Sequence, residues 1–115
     1  MTPGECPKIN FSEALRRLPG PQGEHNVALF EHGSLVIKLS QPRGVDLQKP
    51  HSRDEIYVVA QGSGDFVCGN TRQPFSPNDV LFAAAGSEHR FENFSDDFAV
   101  WVFFYGPEGG EIDRS

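Results

Sequence analysis

Short apolar segments separated by turn residues fill most of the chain, from His25 to Pro107. Each segment has the length of a typical β-strand, and Gly, Pro, Asn or Ser interrupts the pattern about every eight to twelve residues. Long amphipathic helices do not alternate with these segments, which argues against a parallel α/β sheet. We therefore predict an all-β fold, either a sandwich or a barrel.

Seven segments are predicted to be strands on this basis. They read HNVALFE, GSLVIKLSQP, EIYVVA, DFVCG, DVLFAAA, EHRFENF and FAVWVFFY. Residues 76–79, Ser-Pro-Asn-Asp, are predicted to form a type I turn with proline in its second position. The last strand is apolar on both faces, so one face can fill a barrel while the other needs cover. That cover would come from the N-terminal helix or from a second subunit, and the second possibility predicts a homodimer.

The first 24 residues are predicted to be a leader with one short helix. Asn10 and Glu13 have the spacing of a capping box, and Pro19-Gly20 stops the segment, which gives a helix over 11–18. Residues 25–107 would form the barrel, and residues 108–115 a flexible tail. Five aromatic residues are expected to lie mostly in the core: Tyr57, Phe66, Phe82, Phe91 and Trp101.

Composition narrows the possible partners. The chain has 115 residues, which suits one domain, and a net charge of −6, which does not favour a nucleic-acid partner. No apolar run has the length needed to cross a bilayer, so no membrane partner is expected. Cys6 and Cys68 form no CxxC pair, and both are expected to be free thiols in a reduced, cytoplasmic setting.

Polar residues crowd the start of the third predicted strand. His51 and Glu55 are four residues apart and would share one face of an extended segment, together with Lys49 and Arg53. The same face continues through Tyr57 into the barrel. Because a carboxylate that faces an apolar interior is costly, Glu55 should be paired with a cation.

His89 begins another strand and would point inward together with Phe91. Two histidines and one carboxylate form the facial ligand set of non-haem Fe(II), and they also suit Mn, Ni, Co or Zn. His51, Glu55 and His89 are therefore candidate ligands of a divalent transition metal.

Two stretches of the chain resemble the two motifs of the cupin family. The first motif is Gly, His-x-His, Glu and Gly, and the second is Gly, Pro-x-Gly, His and Asn. The chain has Gly44, Lys49-Pro50-His51, Glu55 and Gly62 for the first, and Asn78, Ala84-Ala85-Gly86, His89 and Asn93 for the second. The resemblance covers roughly residues 27–105. It implies a jelly-roll β-barrel with a metal held by His51, Glu55 and His89 in its mouth.

The main departure from the cupin motif is Lys49, which stands where the family has its first histidine. A protonated lysine is not a ligand and repels a cation, so three ligands remain. In one interpretation these three hold a metal in a more open shell. In the other, Lys49 is itself the cation and pairs with Glu55 in a metal-free site.

The resemblance leaves several functions open, because a fold does not name a reaction. The first hypothesis is a metal-dependent enzyme of oxygenase or isomerase type that acts on a small organic molecule. Lys49 would hold an anionic group of the substrate and Tyr57 would donate a hydrogen bond, which makes both catalytic candidates. The alternative is a non-catalytic module that binds a small molecule or a metal. A scaffold that only dimerises is a weaker third hypothesis, since it gives Glu55 no purpose.

Overall fold

The computed structural model describes residues 4–46 and 49–112, and these residues form one short helix and eight strands. The elements are α1 (Phe11–Arg16), β1 (Asn26–His32), β2 (Leu35–Ser40), β3 (Asp54–Gln61), β4 (Gly64–Cys68), β5 (Thr71–Phe75), β6 (Val80–Ala83), β7 (His89–Glu92) and β8 (Ala99–Tyr105). The predicted all-β class is confirmed.

The strands form two antiparallel sheets. The larger sheet has the order β1-β2-β8-β3-β6 and the smaller has the order β5-β4-β7. Buried side chains from both sheets meet in one core, formed by Tyr57, Val59, Phe66, Phe75, Ala83, Phe91, Phe98, Val100 and Val102. The two sheets are not joined into a closed barrel by continuous strand pairing within the described residues.

Helix α1 begins where the sequence predicts. The Oδ1 of Asn10 accepts a hydrogen bond from the backbone N–H of Glu13 at 3.0 Å, which is the predicted N-cap. The helix ends at Arg16, two residues earlier than predicted, because the next backbone N–H groups bond three residues back and tighten the last turn.

The outer face of the larger sheet is only partly covered. Helix α1 packs Ala14 against Leu39 and Ala99 on this face. On the edge strand β6, however, Val80 is 66% exposed and Phe82 is 51% exposed. The prediction that Phe82 is a core residue is wrong, because it is paired with Ile56 on the face opposite to Glu55. The homodimer stays a prediction.

Two local features differ from the sequence analysis. Strand β5 was not predicted; it carries Pro74 and lies at a sheet edge, where a residue without an N–H is tolerated. The turn at 76–79 forms, with Asp79 N–H bonded to the Ser76 carbonyl at 3.1 Å. It is not of type I, because Asn78 has a φ of 75°, which is typical of the third position of a type II turn.

The segment after β8 folds back on the start of β3. Gly109 N–H bonds to the Ser52 carbonyl at 2.6 Å, and Glu111 N–H bonds to Asp54 Oδ2 at 2.8 Å. Residues 113–115, the end of the predicted flexible tail, lie outside the described residues. Both cysteines are free. Within the described ranges, the helix is too short and too polar to span a membrane, and the predicted cytoplasmic location stays a prediction.

Candidate metal centre

The inward face of β3 carries the first part of the candidate site. Glu55, Tyr57 and Val59 alternate along this strand and are each no more than 2% exposed. The strand lies between β8 and β6 in the larger sheet, so this face looks directly into the core. The sequence alternation predicted this face correctly from Glu55 onward.

The residues just before β3 do not continue the same alternation. The chain bends at Ser52 and Arg53, and the strand begins only at Asp54. Arg53 turns to donate a hydrogen bond to the Ser34 carbonyl, and Lys49 is exposed. Among the ion pairs of the described residues, none joins Lys49 to Glu55. His51 alone of the predicted polar group meets Glu55.

His89 reaches the site from the other sheet. It is the first residue of β7, and it alternates inward with Phe91 while Arg90 and Glu92 form an ion pair outside. His89 is 5% exposed and Phe91 is 3% exposed. The predicted inward direction of His89 is therefore what the structure shows, and the site spans the two sheets.

Backbone contacts hold the two halves of the site together. The N–H of Gly86 bonds to the carbonyl of His51 at 2.7 Å, and the N–H of Ala85 bonds to Asp54 Oδ1 at 2.9 Å. Gly86 has a φ of 79°, a conformation that glycine adopts without strain. These two bonds place the loop that precedes His89 beside His51 and beside Asp54, the residue before Glu55.

The three predicted ligands converge on one oxygen. Glu55 Oε1 lies 2.7 Å from His51 Nδ1 and 2.8 Å from His89 Nε2. One ligand atom from each of the three residues can be chosen so that all lie within 4.8 Å of one another. Donor atoms that bind one ion at about 2.1 Å, at right angles to each other, are separated by about 3 Å, which is close to both contacts made by Glu55 Oε1.

The tautomer of His89 favours a cation between the imidazole and the carboxylate. Its Nδ1 lies 2.9 Å from the Ser87 carbonyl and donates to it, so the neutral ring has a lone pair on Nε2. That lone pair faces the carboxylate of Glu55 at 2.8 Å, and Nε2 and Glu55 Oε2 have no partner with full hydrogen-bond geometry among the described residues. Two buried acceptors repel each other unless a proton or a metal ion lies between them.

Interactions within the cluster shift the pKa values of Glu55 and His89 in opposite directions. Burial by itself raises the pKa of Glu55, but the hydrogen bonds from His89 and Tyr57 and the charges of the two histidines outweigh it, and the net shift is downward. Burial by itself lowers the pKa of His89, but the bonds to Glu55 and to the Ser87 carbonyl outweigh it, and the net shift is upward. A carboxylate beside a positive charge is thus the favoured state, which a bound divalent cation would also satisfy.

A cavity of about 340 Å³ opens beside the cluster. Its inner wall is formed by His51, Glu55, Tyr57, Phe91, Val102 and Phe104. Lys49 does not line it, whereas Lys38 does, and the sequence analysis did not single out Lys38. The available signal was the alternation of β2, in which Lys38 and Ser40 share a face, but the sequence alone does not say that this face points inward.

Most of the β-sheet region of the chain matches a known protein family. The Cupin domain family matches residues 37–105, which is more than half of the chain. The chain belongs to the cupin family. Residues 37–105 contain all three clustered side chains, and the predicted jelly-roll class is confirmed by the similar structures below.

A bacterial relative matches part of this cupin. An uncharacterized protein of Streptomyces coelicolor is 36% identical over 63 residues, which are 55% of this chain and 60% of that protein. The chain thus matches less than two thirds of the length of that relative.

Solved cupin structures share the fold at low identity. A Rhizobium leguminosarum protein of unknown function has a TM-score of 0.71 at 15% identity, covering 90% of this chain and 99% of its own. A cupin-2 domain protein from Shewanella frigidimarina has a TM-score of 0.66 at 15% identity, covering 85% of this chain and 94% of its own. KdgF from a Halomonas species has a TM-score of 0.61 at 20% identity, covering 71% of this chain and 80% of its own. Such identities establish the fold alone.

Proposed function

We propose that this cupin is a metal-dependent enzyme for a small organic molecule, with His51, Glu55 and His89 as the metal ligands. The observation that carries the proposal is the buried contact of 2.8 Å between Glu55 Oε1 and His89 Nε2, which requires a proton or a metal ion between the two atoms. Membership of the cupin family supports a metal-binding role, while the reaction and the substrate are our inference.

The ligand set narrows the metal to a group of divalent transition ions. Two imidazoles and one carboxylate suit Fe, Mn, Ni, Co or Zn, and three protein ligands leave positions open on the ion. When bound, the ion would supply Lewis acidity toward a substrate oxygen. The protein would hold the carboxylate of Glu55 in place through Tyr57 and would orient His89 through the Ser87 carbonyl.

The cavity beside the cluster would hold the substrate. Its volume of about 340 Å³ lies at the small end of ligand pockets, which are commonly about 300–1,000 Å³. Aromatic and aliphatic side chains line its inner wall, including Phe91, Val102 and Phe104. These dimensions favour a molecule with few heavy atoms and an apolar portion.

Metal analysis tests the proposal directly. Protein purified without added metal, and then offered Mn²⁺, Fe²⁺, Co²⁺, Ni²⁺ or Zn²⁺ in turn, should retain one equivalent of one of these ions by elemental analysis. The His51→Ala and His89→Ala variants should lose it, while His32→Ala, which removes an exposed histidine at the end of β1, should keep it. Wild-type protein that retains none of the five ions would refute the metal centre.

A non-catalytic binding module is the second candidate. One observation favours it: Tyr57, the candidate hydrogen-bond donor, already interacts with Glu55, which leaves it less able to act on a substrate. A thermal-shift screen of small molecules, followed by assays for consumption of each hit, separates the two candidates. An enzyme consumes its ligand, whereas a binding module is stabilised by the ligand and leaves it unchanged.

A further inference from the structure

Strand β2 turns its polar face toward the cavity. Lys38 and Ser40 line the cavity, whereas Leu39 between them packs on the outer side of the sheet beneath helix α1. Asn26, which is paired with Ser40 on the neighbouring strand, also lines the cavity. Polar groups that face the interior of an apolar fold carry a desolvation cost unless they meet water or a ligand.

Two basic side chains that line this cavity have no hydrogen-bond or ion-pair partner among the described residues. Lys38 and Arg43 both line it, and neither side chain has a hydrogen bond or an ion pair within residues 4–46 and 49–112. The two acidic residues of the lining are already engaged: Glu55 contacts the two histidines, and Asp46 accepts a hydrogen bond from the Phe91 N–H at 2.8 Å. Lys38 and Arg43 are therefore the two charged side chains of the lining that are left to pair with a ligand.

The Phe104 ring lies between Lys38 and the candidate ligand His51 as a shared neighbour. The Nζ of Lys38 is 5.8 Å from the centre of the Phe104 ring, and that ring is 5.1 Å from the imidazole ring of His51. The ammonium is therefore no farther from His51 than these two lengths together. A small molecule can span such a distance while its apolar portion lies against Phe104.

We propose that the cavity takes a small organic acid whose carboxylate pairs with Lys38. The inference rests on the metal centre proposed above, because a second oxygen of the same molecule would face His51, Glu55 and His89. Arg43 adds a second positive charge at the exposed part of the cavity. Lys38 thus takes the anion-binding role that was predicted for Lys49, which is exposed and lies outside the cavity lining.

Calorimetric titration with succinate tests this assignment. Succinate carries a carboxylate for each end of the cavity, and succinamide has nearly the same shape without the charge. Co²⁺-loaded wild-type protein should bind succinate and not succinamide. Lys38→Met should weaken succinate binding by roughly 10- to 100-fold, which is the range for one hydrogen bond to a charged group, and Lys38→Arg should recover part of it.

Four further measurements make the result decisive. Lys8→Met, which removes an exposed lysine near α1, is the charge-matched control and should bind succinate as the wild type does. Lys49→Met should do the same. Co²⁺ affinity, followed by its absorption spectrum, should be equal in all these proteins, and thermal unfolding should show that each variant is folded.

The outcomes separate this inference from the proposed function. Equal succinate affinity in wild type and Lys38→Met, with Co²⁺ bound in both, overturns the role of Lys38 and leaves the metal centre intact. Loss of succinate binding in Lys49→Met alone also overturns it. If wild type retains none of the five ions, the metal centre fails, and the metal-free titration decides: binding that depends on Lys38 supports an anion site, and no succinate binding refutes it.

Discussion

The carboxylate of Asp54 joins three segments of the chain, so its removal should have a large effect on stability. Its Oδ1 accepts the N–H of Ala85 at 2.9 Å, and its Oδ2 accepts the N–H of Glu111 at 2.8 Å. Asp54 itself is the first residue of β3 and is 5% exposed. In Asp54→Ala both backbone donors lose this partner.

The expected size follows from the two bonds. A hydrogen bond to a charged acceptor contributes about 1.5–3 kcal/mol, and two bonds that share one carboxylate are not fully additive. We therefore expect Asp54→Ala to lower the free energy of unfolding by about 2–4 kcal/mol. With a urea m-value of about 2 kcal/mol/M, the middle of the range for small domains, the midpoint should fall by roughly 1–2 M.

Urea unfolding followed by tryptophan fluorescence measures this effect, since the chain has a single tryptophan, Trp101. Asp96→Ala is the control, because Asp96 is exposed and its loss should change stability by less than about 0.5 kcal/mol. If Asp54→Ala and Asp96→Ala unfold at the same urea concentration, the carboxylate does not hold the junction, and the reasoning is wrong.

The same prediction has a pH dependence with a definite sign. The bonds from Glu111 and Ala85 lower the pKa of Asp54 below its usual value, so the folded state favours the ionised form. A lowered pKa contributes stability that is present above the unfolded pKa of about 3.9 and is lost as the pH falls through the folded pKa. The gap between wild type and Asp54→Ala should therefore be constant near neutral pH and should shrink in acid.

Two further predictions concern the rest of the fold. Gly62→Ala should lower the free energy of unfolding by at least about 2 kcal/mol, because Gly62 has a φ of 89° and an added Cβ would lie 2.6 Å from the Cα of Phe98. Gly69→Ala, where φ is 57° and nothing lies within 4 Å, isolates the backbone strain and should cost only about 1 kcal/mol in the same urea experiment. If the protein is a homodimer through the exposed outer face of β6, Phe82→Glu should shift its mass in light scattering toward that of a monomer, and an unchanged dimer would exclude this face.

Alternation along the strands predicted much of the fold and of the candidate site. A strand exposes successive residues to opposite faces, so the inward direction of Glu55 and Tyr57 followed from β3, and that of His89 and Phe91 followed from β7. The family resemblance then indicated that these strands, distant in the sequence, meet. Their meeting depends on the pairing of two sheets, which a single sequence does not encode in any local pattern.

The alternation argument failed where the chain is not extended. Alternation over residues 49–55, taken as one strand, predicted Lys49 on the same face as Glu55. The chain bends at Ser52 and Arg53, because the Ser52 carbonyl accepts the N–H of Gly109 and the Arg53 side chain bonds to the Ser34 carbonyl. Both partners come from distant parts of the sequence, so no local signal could have predicted this bend.

In strand β2, alternation separates the two faces but does not tell which of them points inward. The choice of inner face decides whether Lys38 reaches the cavity. The alternation of β2 separates Lys38 from Leu39 correctly, but either face could have been the inner one. The usual assumption, that the apolar face points to the core, fails here because helix α1 forms a second apolar cluster on the outside with Leu39 and Ala14. The outer cluster takes the apolar residues of β2, and this leaves Lys38 on the inner face, where it lines the same cavity as Glu55. The short helix outside the sheets thus accounts for the position of Lys38 at the cavity. Loss of the packing between α1 and Leu39 should disturb the outer cluster and the position of Lys38 together.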